Sequence, residues 1–203
     1  MCWNQEISWI TFFLGTICNI VLASLTQDNK TIVWYLLFQS IIFVQLGEAL
    51  IWGDPNGGTR SKIGTIISFL GVWLHPIIAA IILTVIDVNP YYKYIIYVIV
   101  LLYILVSIPH ILRLQNDTYV PLVCGDGKKH IDFIAWGDSA MSMLYMICVF
   151  LLTLFAFTKY PYVCSYLLIT LFISQIYYKR VFSSIWCWFA VFTPLVCFFA
   201  PHS

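Results

Sequence analysis

The chain has 203 residues and a formal net charge of +1; 62% of its residues are apolar, 18% aromatic and 9% charged, against about 25% charged in an average soluble domain. This composition describes an integral membrane protein, and it leaves out nucleic acid as a partner, since there is neither a basic surface nor an arginine-rich run interleaved with aromatics. The seven cysteines stand singly with no C-x-x-C pair, so neither a disulfide framework nor a zinc knuckle can be read.

Crossing a ~30 Å hydrocarbon core takes about 20 apolar residues, a little fewer at the low limit. Runs of this kind occupy residues 7–25, 31–52, 63–86, 94–112, 141–157, 162–178 and 183–200. The expected fold is all-α: a single domain over 1–203, with seven transmembrane helices in an up-down bundle. Short turns rich in Asp, Asn, Gly and Pro separate most of the spans, at Gln27-Asp28-Asn29-Lys30, Gly53 to Gly58 and Asp87-Val88-Asn89-Pro90. Between the fifth and sixth spans only Thr158-Lys159-Tyr160-Pro161 breaks the pattern, and Pro161 favours a hairpin over one long helix. One connection is long, 113–140. The first span follows Met1 to Glu6 with no basic segment or small-residue cleavage site, so it is expected to stay as an anchor.

Positive residues are retained on the cytoplasmic side. Arg60, Lys62, Arg113, Lys128, Lys129, Lys179 and Arg180 fall on the side of the N-terminus, whereas Lys30, Lys93 and Lys159 fall on the other. This places the N-terminus and the long loop in the cytoplasm and the C-terminus outside. Two N-x-[ST] sequons, Asn29 and Asn116, lie on opposite sides and report on this arrangement.

Polar residues within the spans sort by depth at ~1.5 Å per residue. Asn19, Gln39 and His75 lie near the midplane; Gln45, Glu48, Ser107, His110 and Gln175 lie within about 10 Å of the cytoplasmic helix ends. Glu48 is the one carboxylate of nine inside a span. An intramembrane ionisable group marks a functional site by default, yet Glu48 is only about 6 Å from its helix end, where a paired packing residue is equally natural. Gln45 and Trp52 share its helical face, and His110 beside Pro109 or Gln175 are the expected partners from other helices. On the third span Gly64, Ser68, Gly71, His75 and Ala79 recur on one face, the pattern by which membrane helices approach closely. His75 is therefore expected at a helix contact, with a kink at Pro76. In the long loop, Cys124, His130 and an aspartate suit zinc by donor type, but their spacing matches no four-ligand set. The commoner reading is an interfacial segment with Phe133 and Trp136 at the headgroups and Lys128 and Lys129 at the anionic leaflet.

Glu48-x-x-x-Trp52, His75-Pro76 and Cys124-x5-His130-x5-Trp136, in that order on a seven-span chain, resemble a group of small multi-pass membrane proteins of giant DNA viruses and some protists. The resemblance covers the second span through the long loop. It implies a viral or protist origin and a polytopic fold; that group has no assigned activity, so no role transfers to any residue.

Other seven-span classes fail on residues. A retinal protein needs a lysine in its last helix, and 183–200 has none. Neither D-R-Y nor N-P-x-x-Y of rhodopsin-like receptors is present. Two function classes follow: a non-catalytic viral or organelle membrane component, which base rates favour, and a small proton- or solute-conducting transporter using Glu48 and His75. A metal-dependent membrane hydrolase is a distant third, since it needs His75, His110 and a carboxylate to converge. The expected partner is the lipid bilayer, with room for a homo-oligomer; no cofactor is implied and no substrate is named.

Overall fold

The computed structural model describes residues 4–86, 89–114, 116, 118–123, 129–131, 139–157, 159–177 and 189–199. Four helices come first: α1 (Gln5–Leu25), α2 (Asn29–Trp52), α3 (Thr59–Val85) and α4 (Pro90–Arg113). Each starts two to four residues ahead of its apolar run, because polar turn residues satisfy the free N–H groups of the first turn. Asn4 Oδ1 accepts from the Ile7 N–H at 2.9 Å, and an Asp28 carboxylate oxygen accepts from the Thr31 N–H at 2.9 Å. Asn89 accepts from the Tyr91 N–H at 3.0 Å with Pro90 opening α4. Asp54 serves α3, accepting from the N–H groups of Arg60 at 3.1 Å and Ser61 at 3.3 Å. The turn that brings Asp54 back to α3 passes through Gly57 at φ 79°, a conformation that costs other residues a steric penalty.

These four helices are long and apolar enough to cross a membrane. After them come β1 (Pro121–Val123), β2 (Lys129–Ile131), α5 (Ser139–Phe157), α6 (Pro161–Tyr177) and α7 (Thr193–Phe199). The apolar stretches of α5 and α6 are shorter, Leu144–Phe157 and Pro161–Ser174. Of the expected span 183–200, residues 183–188 and 200 lie outside the described residues; a turn at 191–192 precedes α7, which occupies Thr193–Phe199. The architecture is all-α, as expected, with one small addition: β1 and β2 pair antiparallel, with Leu122 opposite His130. Strands of three residues are too short to show the alternation by which sequence reveals a strand.

The organising element is α2. Trp34, Phe38, Ile41, Ile42, Val44, Ala49 and Ile51 are all buried along it, as befits a helix that is apolar almost all round. It packs on α1, α3 and α7, and its contact with α3 is the most extensive in the molecule. At the edge, α1 and α4 present Phe13, Leu14, Ile17, Tyr94, Leu101 and Leu105 outward, apolar surface suited to lipid contact.

The α2–α3 contact depends on glycine. A Cβ on Gly64 would stand 2.5 Å from the Gly47 carbonyl oxygen, and one on Gly71 would stand 3.0 Å from the Ser40 carbonyl oxygen. A Cβ on Gly47 would lie 2.6 Å from the Gly64 carbonyl oxygen and closer still to Ser68 Oγ. The small-residue face of α3 therefore meets α2 backbone to backbone, which lets dispersion accumulate where no hydrophobic force acts between helices.

The chain beyond α4 folds back against the start of α3. Tyr119, 4% exposed, donates its N–H to Thr65 Oγ1 at 2.7 Å. Thr65 Oγ1 donates to the Ser61 carbonyl at 2.8 Å, and Ser61 Oγ donates to the Tyr119 carbonyl. This ring satisfies both backbone groups of a buried residue, as burial requires.

Candidate functional site

The polar residues singled out from sequence do not gather into one centre. Asn19 and Gln39 meet between α1 and α2: Asn19 Nδ2 donates to Gln39 Oε1 at 3.0 Å and to the Tyr35 carbonyl at 3.0 Å, and Gln39 Nε2 donates to Thr16 Oγ1 at 3.3 Å. His75 is buried on α3, and its Nδ1 is hydrogen-bonded to Tyr145 Oη of α5 at 2.8 Å. Glu48 is fully buried at 0% exposure, and its Oε2 accepts from Gln45 Nε2 at 3.2 Å. His110 is half-buried on α4. Eight residues separate Glu48 from Ser40, the α2 residue whose carbonyl faces Gly71, so Glu48 lies about 12 Å along the helix from the His75 end of this contact.

One bond of Glu48 comes from Gln45 of its own helix, and it stands beside the expectation of a partner from α4 or α6 without deciding it. Residues three apart lie on one helical face and reach each other without tertiary help. Gln175 is placed in α6 by its backbone alone. Cys124, Phe133 and Trp136 lie outside the described residues, and His130 is placed only by its register in β2. Among the described residues no three His, Cys, Asp or Glu groups stand close enough to hold a metal ion.

No protein family, curated protein or solved structure matches this chain. The residues themselves must therefore carry the functional reading.

Around His75 lies a cavity of about 40 Å³ between α2, α3, α5 and α6, walled by Trp34, Ile41, Leu83, Leu152 and Leu167 among others. Its lining is almost wholly apolar, and a void of that character is not a polar path across the membrane. Below it α3 continues through Pro76, whose missing N–H opens the turn at Val72. Two side chains stitch that turn to α4: Tyr103 Oη donates to the Trp73 carbonyl at 3.3 Å, and Trp73 Nε1 donates to Ser107 Oγ at 2.8 Å.

Sequence reasoning missed three of these partners: Tyr145, Tyr103 and Tyr119. A signal for the first two was present, because a tyrosine within an apolar span must find its hydroxyl a partner when buried. Each such tyrosine is a candidate mate for a histidine or a backbone carbonyl. Tyr119, in the long connection, carried no such mark.

Proposed function

We propose that this chain is a non-catalytic structural component of a viral or organelle membrane, crossing it seven times with its N-terminus in the cytoplasm and its C-terminus outside. The observation that supports this reading is the state of Glu48. The one carboxylate inside a span is fully buried and hydrogen-bonded within α2. A conducting carboxylate has to meet water from a path; a packing carboxylate has to be enclosed. Asn19 with Gln39 and His75 with Tyr145 fit the same role, as polar contacts that join helix pairs.

The test is reconstitution into liposomes holding a pH-sensitive dye. The expected result is no proton flux above empty liposomes under either sign of pH gradient, in wild type and in Glu48→Gln alike. Flux in wild type that disappears in Glu48→Gln would overturn the structural reading and establish transport.

A further inference from the structure

We infer that the groove between α1 and the stretch leading into α7 is a binding site for one acyl chain of a phospholipid. A cavity of about 480 Å³ opens there, within the ~300–1,000 Å³ range of ligand sites. Ile7, Ile10, Leu14 and Cys18 line it from α1, with Phe192 and Leu195 opposite. The inference rests on α1 lying in the bilayer, not on the absence of transport.

Three observations choose the occupant. The first is depth: Ile7 to Cys18 is eleven residues, about 16 Å of helix, or half of a ~30 Å hydrocarbon core. One leaflet's acyl chain spans that depth, whereas a helix of a second copy would cross the whole core. The second is the lining. Its one hydroxyl, Thr11 Oγ1, donates back to the Ile7 carbonyl at 2.7 Å, so nothing polar is offered to a solute. The third is the floor. A Cβ on Gly15 would stand 2.7 Å from Val191 Cγ1, so the two walls touch there and the concavity is closed from behind. One residue ahead of Ile7, the first turn of α1 holds the exposed Glu6, and a carboxylate so near in the chain disfavours an anionic headgroup. The site thus takes the acyl chain of a zwitterionic lipid in preference to that of an anionic one.

The test is native mass spectrometry of the full chain, delipidated in mild detergent and then supplied with palmitoyl phosphatidylcholine. Wild type should retain one lipid; the double variant Leu14→Trp, Cys18→Trp should lose most of that adduct. Ile20→Trp, which adds the same bulk to an exposed position of α1 outside the groove, should keep it. Retention unchanged by the double variant, or no adduct in wild type, would overturn the site. If the double variant does not fold, competition on wild type decides: palmitoyl should displace hexanoyl phosphatidylcholine, and equal retention refutes a leaflet-deep groove. Phosphatidylglycerol outcompeting phosphatidylcholine would overturn the headgroup reading. A Cys18–Cys18 cross-link between chains in bilayers would give the groove to a second copy, again overturning the proposal.

Discussion

Gly64→Ala tests the account of the α2–α3 contact most directly. The new methyl would start 2.5 Å from the Gly47 carbonyl oxygen, 2.9 Å from Ile51 Cγ1 and 3.0 Å from Leu50 Cβ. Ile51 can turn away, but the carbonyl belongs to a helix backbone that cannot. Bringing 2.5 Å to an ordinary contact near 3.4 Å requires the helices to part by most of an ångström. A gap of ~0.5–1 Å forfeits a quarter to a half of each dispersion contact beside it, and overpacking of this kind costs about 1–3 kcal/mol. The helix preference of Ala over Gly returns up to ~1 kcal/mol, leaving a net loss centred on about 1 kcal/mol. The assay is reversible unfolding of the purified protein in mixed micelles by rising dodecyl sulfate, followed by tryptophan fluorescence. Leu70→Ala on the same helix is the control: Leu70 is 41% exposed, and its loss should change stability by no more than ~0.5 kcal/mol. Gly47→Ala combined with Gly64→Ala should cost less than the sum of the two, because helices already parted by one methyl accommodate the other. Stability of Gly64→Ala at or above wild type would refute the backbone-to-backbone contact.

Other predictions concern single bonds. Tyr145→Phe removes one partner of His75 and should destabilise by about 0.6 kcal/mol, the average for hydrogen bonds between membrane helices, and by no more than ~1.7 kcal/mol; the same micelle titration measures it, and no change would mean that the bond is idle. Thr65→Val deletes the acceptor of the Tyr119 N–H, and it should make the chain beyond α4 cleavable by added protease at least several-fold faster, with unchanged cleavage telling against the ring. For orientation, expression in a eukaryotic host should leave Asn116 unglycosylated. A glycosidase-sensitive mass shift that vanishes in Asn116→Gln would invert the proposed topology. Asn29 should be modified weakly or not at all, since it is the first residue of α2.

The parts of the fold legible in sequence are those set by composition along one stretch. Apolar run length located α1 to α4, and the early starts reflect caps that polar turn residues supply. The Gly64, Ser68, Gly71 spacing marked a face of α3 for close approach, because that pattern has a meaning on one helix alone. Which helix it approaches is a property of the pair, and nothing in the spacing names α2. The same limit applied at the candidate site. Asn19 and Gln39 could be placed at one depth, but so could His75, and only the folded chain separates the pair on α1 and α2 from the histidine that turns to α5. For Glu48 the contact legible in sequence was the one on its own helix, because Gln45 stands one turn away on the same face.

The ring at Tyr119 has a consequence for the order in which the molecule is put together. The bonds from Ser61 and Thr65 to Tyr119 join residues 58 and 54 apart in the chain, whereas Gly47 and Gly64 meet across one short turn. The α2–α3 hairpin can close as soon as it is synthesised. Its rim cannot, because the residue that fills it emerges only after all of α4 has been made and threaded. During that interval two hydroxyls of a finished helix pair await a backbone that does not yet exist, and water or lipid headgroups must stand in for it. A residue made after α4 thus finishes the rim of a helix pair made before it, and a chain stopped before Tyr119 would keep the close approach of α2 and α3 but lack the bonds that Ser61 and Thr65 make to it.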